Sequence, residues 1–327
     1  MNIYLNANEN PFNTVDRNLI NELLFSFDYN RYPDLDYKKL KSELSRITNR
    51  KVENIIPTNG SDELIQLILL AYSKENENIL SHIPTFSEYE KISNYLGRNF
   101  IGVKPKKNLK VDKDVFIQKI KEYNPKIIFL CSPNNPTGEL LKEEFIEEVL
   151  NTSNNMVIVD EAYIEFSGKT NIKLLNKYEN LIIMRTLSKA YGLASLRVGY
   201  GLTSEKNIDF LNEYRMPYNI SGISQFIATE TLKLIDTKKY VENILNEKQR
   251  IIKELKKINI EYLNSESNFI LIKTINNNGV LKALKENKIF VRTFNDEYLV
   301  SYIRFNIGNR EENDKLLSIL KDVVGNG

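Results

Sequence analysis

Three short apolar runs in the middle of the chain constrain its fold more than any other feature. They are IIFLCS at 127–132, MVIVD at 156–160 and LIIMR at 181–185. Because each run is continuous rather than alternating, it predicts a strand that is buried on both faces. KEEFIEEVL at 142–150 has helical spacing and begins with acidic residues, as helices often do. This alternation predicts an α/β fold with a mainly parallel central sheet.

Further helical patterns lie on both sides of this central region. They cover 36–48, 61–72, 223–235 and 241–258. From about residue 259 the pattern changes to short apolar runs and two helical segments, which predicts a smaller C-terminal α/β domain. We therefore predict a large domain at 31–235 and a small domain at 236–327. Residues 1–30 would form an N-terminal segment that packs with the small domain.

Composition excludes several classes of function. Of the 327 residues, 45 are Lys or Arg and 43 are Asp or Glu, so the net charge of +2 gives no reason to expect nucleic acid or a membrane surface as partner. No apolar run approaches the roughly 18 residues that span a bilayer. The N-terminal MNIYLNANENPF lacks a signal-peptide pattern, so a cytoplasmic location is expected.

The chain has one cysteine, Cys131, and one histidine, His82. No disulfide can form within it, and no Cys/His zinc cluster is possible, so no metal is expected. His82 lies in SHIPTF beside a proline, where a structural role at a strand end is the stronger interpretation. Any chemistry must come from Lys, Asp, Tyr, Arg and Ser, or from a bound cofactor.

Polar motifs follow each of the three predicted strands. SPNNPTG contains Asn135, DEAY contains Asp160 and Tyr163, and RTLSKAYG contains Lys189. Each motif alone has an ordinary interpretation: a turn, the acidic start of a helix, or a solvated lysine. In open α/β sheets, however, ligands bind beyond the carboxyl ends of the strands. These four side chains at one edge therefore favour a binding site.

A fourth motif, PTNGSDELIQLILL at 57–70, indicates an anion site. Gly60 and Ser61 stand at the start of an apolar helix, where free N–H groups and the helix dipole favour negative charge. The alternative is that Ser61 only caps the helix, with Glu63 nearby. No GxxxxGK[ST] motif occurs, and no GxGxxG follows a strand, which disfavours nucleotide and dinucleotide sites.

A phosphate site, an acid, a phenol, an amide and a primary amine together fit pyridoxal phosphate. Lys189 would form the Schiff base with its aldehyde and would later act as general base. Asp160 would pair with the ring nitrogen and keep it protonated. Thr186, Ser188 and Arg197 would hold the phosphate together with the helix start near residue 60.

Motifs along nearly the whole chain point to one family. They are LNANENPF, RYPD, NGSDELI, PTF, SPNNPTG, VDEAYIEF, RTLSKAYGLASLRVGY, RMPYNIS, FVR and YIRFNIGNREEN. With these motifs the chain resembles the fold-type I pyridoxal-phosphate aminotransferases, and most closely the histidinol-phosphate aminotransferase family. The resemblance implies roles around the cofactor ring. Lys189 matches the Schiff-base lysine, Asp160 the partner of the ring nitrogen, Tyr163 and Asn135 the ligands of the phenolate oxygen, and Phe86 the stacked aromatic residue.

The resemblance also implies the phosphate ligands of the cofactor. Ser61 and Asp62 match residues at the phosphate-binding helix start, and Thr186, Ser188 and Arg197 match the remaining phosphate ligands.

Three further residues match family positions that contact the cofactor of the neighbouring subunit or the substrate. Tyr32 matches a tyrosine that reaches the cofactor phosphate of the neighbouring subunit, which implies a homodimer. Arg304 matches the arginine that holds the substrate carboxylate, and Arg292 matches one that binds the phosphate of histidinol phosphate.

The implied reaction converts L-histidinol phosphate and 2-oxoglutarate to imidazole-acetol phosphate and L-glutamate, a step of histidine biosynthesis. A threonine-phosphate decarboxylase and an aromatic or broad-range aminotransferase are the alternatives among enzymes. A pyridoxal-phosphate-binding regulator is the alternative outside enzymes, although the chain has no basic stretch for a nucleic-acid-binding module.

Overall fold

The computed structural model describes residues 2–274 and 277–325. The strands are β1 (Ile3–Tyr4), β2 (Ile55–Asn59), β3 (Asn78–His82), β4 (Asn99–Val103), β5 (Ile127–Cys131), β6 (Met156–Asp160), β7 (Leu181–Thr186), β8 (Val198–Leu202), β9 (Glu261–Leu263), β10 (Phe269–Lys273), β11 (Ile289–Phe290), β12 (Arg292–Thr293) and β13 (Tyr302–Asn306). The helices are α1 (Arg17–Ser26), α2 (Lys38–Thr48), α3 (Gly60–Tyr72), α4 (Glu88–Tyr95), α5 (Lys113–Tyr123), α6 (Glu143–Thr152), α7 (Ile164–Ser167), α8 (Glu205–Asn212), α9 (Gly222–Leu234), α10 (Thr237–Lys257), α11 (Asn277–Glu286) and α12 (Arg310–Gly325).

A seven-stranded sheet forms the centre of the molecule, in the order β2-β8-β7-β6-β5-β3-β4. The three apolar runs are β5, β6 and β7, which lie side by side and are parallel. Only β8 runs against its neighbours within this sheet. The predicted α/β fold with a mainly parallel sheet is therefore confirmed, and the carboxyl ends of β5, β6 and β7 meet at one edge.

Both faces of this sheet are buried, as the continuous apolar runs predict. Alternate residues of a strand point to opposite faces. Ile128 belongs to the hydrophobic core on one face, together with Phe145 of α6. Phe129 belongs to the core on the other face, together with Leu64 of α3. Helices thus cover the sheet on both sides, and its edge remains the place where polar side chains can gather.

A second sheet, in the order β12-β13-β10-β9, is antiparallel throughout. Strand β1 pairs with β11, and the Asn306 N–H at the end of β13 donates to the carbonyl of Leu5 at 2.9 Å. The N-terminal segment therefore contacts the region of the second sheet, although the domain boundaries themselves stay a prediction. Within residues 2–274 and 277–325, no helix is long and apolar enough to cross a membrane.

Strand β8 passes unusually close to the first residues of α3. A Cβ atom on Gly199 would lie 2.4 Å from the backbone nitrogen of Ser61 and 2.5 Å from the carbonyl carbon of Gly60. Real Cβ atoms do not approach backbone this closely, so only glycine fits at position 199. This close contact between β8 and α3 determines where the N-terminus of α3 lies relative to the edge of the sheet.

We expect Gly199→Ala to lower the free energy of unfolding by at least about 1–3 kcal/mol, because strand or helix backbone must shift to admit the methyl group. Urea unfolding measures the loss. Gly201→Ala in the same strand is the matched control. Its Cβ would meet side-chain atoms of Leu64 and Ile56 at 3.0 and 3.1 Å, and these can give way. Equal losses in the two variants would contradict this account.

Candidate active site

A cavity of about 1070 Å³ opens at the carboxyl ends of β5, β6 and β7 and is closed on one side by β12 and β13. Nearly all the site residues predicted from sequence line it. These are Ser61, Asp62, Phe86, Asn135, Asp160, Tyr163, Thr186, Ser188, Lys189, Arg197, Arg292 and Arg304. Tyr32 lies outside this cavity and is 81% exposed. The catalytic and binding roles of Tyr32 and of the residues that line the cavity remain predictions at this point.

Lys189 follows β7 by three residues, and its amine reaches into the cavity. The Nζ atom donates to the carbonyl of Ala7 at 2.8 Å and lies 5.9 Å from the centroid of the Tyr163 ring. Burial, together with the positive charge of Arg304, lowers the pKa of Lys189 to about 8. The neutral, nucleophilic form of this amine is therefore more populated near neutral pH than in an ordinary exposed lysine.

Asp160 ends β6 and is buried at the base of the cavity. Its Oδ1 accepts from the Ala162 N–H at 2.9 Å, and its Oδ2 accepts from the Tyr89 hydroxyl at 2.5 Å. Burial raises the pKa of Asp160 to about 6, while both donors oppose that rise. The carboxylate is thus suited to holding a cation that enters the cavity.

Tyr163 and Asn135 place a phenol and an amide at the same cavity. The Tyr163 hydroxyl accepts from the Asn8 side-chain amide at 2.9 Å, so its own proton is available to a ligand. Burial raises the pKa of Tyr163, which keeps that proton in place. The Asn135 side-chain oxygen accepts from Arg304, which leaves the Asn135 amide hydrogens directed elsewhere.

The start of α3 lines one end of the cavity. Arg197 Nη2 donates to the Asp62 carboxylate at 3.0 Å and lies close to Gly60, where a Cβ would be only 2.4 Å from it. Ser188 donates its N–H to the Thr186 hydroxyl at 3.1 Å. The buried Ser188 hydroxyl has no hydrogen-bond partner among the residues that the structure describes.

Phe86 is half-buried and lines the cavity. Its ring meets the Tyr89 ring edge-on, with centroids 5.7 Å apart and an interplanar angle of 86°. It therefore offers an aromatic wall against which a flat ligand ring can stack.

Two arginines occupy the side of the cavity formed by the second sheet. Arg304 in β13 and Arg292 in β12 are direct partners across the antiparallel pair. Arg304 is buried, and its Nη2 donates to the carbonyl of Asn6 at 2.7 Å. Its Nε has no partner in the described part of the chain. Two adjacent cations favour a ligand that carries more than one negative charge.

Two groups at the site were not identified from sequence. Tyr89 binds Asp160 directly, and the backbone and side chains of 6–8 contact Arg304, Lys189 and Tyr163. The asparagine-rich LNANEN motif marks the second group as unusual in sequence, but it does not reveal which distant residues the group contacts. Tyr89 lies in the first turn of α4, three residues after Phe86, which precedes the helix; the Tyr89 N–H donates to the Phe86 carbonyl at 3.3 Å.

The residues present fit pyridoxal phosphate. The unpartnered Ser188 hydroxyl, the N–H groups at the start of α3 and Arg197 suit a phosphate. At the other end of the cavity, the Asp160 carboxylate suits a protonated ring nitrogen, and the Lys189 amine suits an aldehyde.

Known proteins resemble the chain over its whole length. The family model for aminotransferase class I and II matches residues 1–320. A histidinol-phosphate aminotransferase from Caldanaerobacter subterraneus subsp. tengcongensis is 40% identical over 324 residues, which are 98% of this chain and 92% of that protein.

Two solved structures share the fold. The histidinol-phosphate aminotransferase from Clostridium acetobutylicum has a TM-score of 0.90 and 27% identity, covering 99% of this chain and 100% of that chain. The enzyme of the same name from Sinorhizobium meliloti, in complex with pyridoxal-5'-phosphate, has a TM-score of 0.89 and 23% identity, covering 100% and 91%. The chain therefore belongs to the aminotransferase class I and II family and, within it, to the histidinol-phosphate aminotransferases.

Proposed function

We propose that the chain transfers the amino group between L-histidinol phosphate and 2-oxoglutarate, with pyridoxal phosphate as cofactor. One observation carries the proposal above all. A single cavity contains the Lys189 amine, the buried Asp160 carboxylate, an anion-binding helix start and the paired Arg292 and Arg304. The first three suit the cofactor, and the two arginines suit an anionic substrate.

When bound, pyridoxal phosphate supplies an aldehyde that carries the amino group and a ring that accepts the electron pair left at the substrate α-carbon. Lys189 acts as general base: its neutral amine takes the proton from the α-carbon and returns it on the cofactor side. The lowered pKa of Lys189, about 8, supports this role. Asp160 holds the proton on the ring nitrogen.

The remaining residues around the cofactor bind it and orient it. Phe86 stacks on the ring, while Tyr163 and the Asn135 amide bind its phenolate oxygen. The phosphate is held by Ser61, Thr186, Ser188 and Arg197. Asp62 acts through Arg197, because its carboxylate accepts from that guanidinium at 3.0 Å and sets its direction.

The two arginines of the second sheet bind the substrates. Arg304 holds the carboxylate of glutamate, and Arg292 binds the phosphate of histidinol phosphate and the γ-carboxylate of glutamate in turn. Their cross-strand pairing supports a shared substrate site, since it puts both side chains on one face of the second sheet, and both line the cavity.

The half-reaction tests the function directly. Adding L-histidinol phosphate to the holoenzyme without a keto acid should bleach the visible band of the pyridoxal form and raise the near-ultraviolet band of the pyridoxamine form. Lys189→Ala should bind the cofactor only non-covalently and lose turnover by well over the 10²–10⁴ that one general base typically contributes. Retained turnover in Lys189→Ala would contradict the mechanism.

The same assay separates the alternatives. Bleaching by aromatic amino acids but not by histidinol phosphate would indicate an aromatic aminotransferase. Release of carbon dioxide from threonine phosphate would indicate the decarboxylase. Either result would overturn the proposed substrate and leave the role of Lys189 standing.

Arg292→Ala should lower kcat/KM for histidinol phosphate by roughly 10–100-fold, because a charge-assisted hydrogen bond is lost. We expect little change with unphosphorylated L-histidinol and in the spectrum of the bound cofactor. Arg310→Ala is the matched control, since Arg310 is an exposed arginine that pairs with Glu247 and Asp314 outside the cavity. An equal loss for both substrates would argue against a phosphate-binding role for Arg292.

We further propose a homodimer in which Tyr32 reaches the cofactor phosphate of the neighbouring subunit. Tyr32 lies outside the cavity of its own chain and stacks on Tyr218, with ring centroids 4.5 Å apart. Other large apolar side chains are exposed in the same parts of the chain, including Phe25 at 93% and Met216 at 71%. Exposed apolar groups of this kind are typical of interfaces.

A cytoplasmic location remains a prediction, which cell fractionation would test.

Subunit mixing tests the shared site. Tyr32→Ala and Lys189→Ala should each be impaired alone, but a hybrid dimer contains one site with both native residues. Random exchange should therefore restore about a quarter of wild-type activity, because half of the dimers are hybrids with one intact site of two. Each variant mixed with itself is the control. Absence of recovery in dimers shown to have exchanged would contradict the proposal.

A further inference from the structure

Tyr89 lies directly behind the cavity and is completely buried. It belongs to the first turn of α4, and its hydroxyl donates to Asp160 Oδ2 at 2.5 Å. Its backbone N–H also donates to the carbonyl of Phe86 at 3.3 Å. Tyr89 therefore connects two residues that line the cavity, Phe86 just before α4 and Asp160 at the end of β6.

Aromatic packing fixes the direction of the Tyr89 hydroxyl. The Tyr89 ring stacks on Phe129 of β5 with centroids 4.6 Å apart and an interplanar angle of 3°. Phe86 meets it edge-on on another side. Because both contacts restrict the ring, the hydroxyl cannot turn away from Asp160 without disturbing the core.

The hydrogen bonds of Asp160 show what this contact does. The Ala162 N–H binds one carboxylate oxygen and the Tyr89 hydroxyl binds the other, so the carboxyl plane is held from two sides. Each oxygen can still accept a further hydrogen bond. Burial favours the neutral form of Asp160, whereas the hydrogen bonds donated to its carboxylate favour the ionised form. Burial also keeps Tyr89 protonated, because it raises the pKa of the phenol well above its ordinary value.

We propose that Tyr89 is a positioning residue for the reaction: its hydrogen bond keeps Asp160 ionised and oriented, so that Asp160 retains the proton on the cofactor's ring nitrogen. This role rests on the proposed function of Asp160. It also extends that function, since the ability of the ring to accept electrons then depends on a side chain that does not touch it.

The test compares Tyr89→Phe with the wild-type protein. Both carry pyridoxal phosphate that is ¹⁵N-labelled in the ring. The variant keeps the aromatic packing and removes only the hydroxyl. We expect the ¹⁵N signal of the ring to move toward the unprotonated value and kcat to fall by at least about tenfold. A ring signal identical to that of the wild type would overturn the proposal, whatever happens to kcat.

Tyr72→Phe is the matched control. Its hydroxyl donates to the Asn207 side chain at 3.1 Å, away from Asp160, so its loss should leave the ring signal and kcat unchanged. Thermal unfolding of both variants measures any general loss of stability. If Tyr72→Phe moved the ring signal as far as Tyr89→Phe, the effect would be structural and the proposal would be wrong.

Asp160→Asn distinguishes the two levels of the hypothesis. If Asp160→Asn moves the ring signal and Tyr89→Phe does not, the positioning role fails while the function of Asp160 stands. If Asp160→Asn leaves the signal unchanged, the assignment of Asp160 fails and the role of Tyr89 fails with it. 3-Fluorotyrosine at position 89, a more acidic donor of nearly the same size, should keep the signal at the protonated value.

Discussion

The buried ion pair between Arg185 and Glu161 holds the two strand ends on which the site depends. Arg185 Nε and Nη2 donate to one Glu161 oxygen at 3.0 and 2.7 Å, and the other Glu161 oxygen accepts from the Asn171 N–H at 2.6 Å. Neighbouring residues of a strand point to opposite faces. The pair therefore ties β6 to β7 from behind, while Asp160 and Thr186 face the cavity. Such a pair is tolerable in the core because hydrogen bonds satisfy the buried charges.

The N-terminal segment connects the two sheets through Asn8, which adopts a left-handed backbone conformation with φ 56°. Its N–H donates to the side chain of Asn306 at 3.2 Å, and its carbonyl accepts from the Asn268 side chain at 3.1 Å. Its own side chain binds Tyr163. The geometry of the phenol therefore depends on β13, the strand that carries Arg304, as well as on the large sheet. One buried asparagine thus links the proposed cofactor residue Tyr163 with the strand that carries the proposed substrate residue Arg304.

The sequence predicts β5, β6 and β7 within one residue, and the edge at which their polar motifs meet, because continuous apolar runs and strand-end motifs are local features. Strand β8 was not predicted: VGYGL has two glycines, and its place depends on the close approach of Gly199 to α3. The contacts of Tyr89 and Asn8 were also missed. They join residues 71 and 155 positions apart, and no local pattern encodes such a distance. Tyr32 remains a prediction, since its proposed partner lies in another subunit.

The acceptors that hold the arginines differ between the two ends of the cavity, and this difference bears on what each end can bind. Arg197 pairs with Asp62, so its direction is fixed and part of its charge is already balanced. Arg304 is held by the Asn6 carbonyl and the Asn135 amide, which are neutral. Within the described residues, neither Arg304 nor Arg292 forms an ion pair with a carboxylate. Their charges repel each other across β12 and β13, and an anionic substrate relieves that repulsion. A wall of this kind can accept a phosphate or a carboxylate in turn, which is what the two proposed half-reactions require.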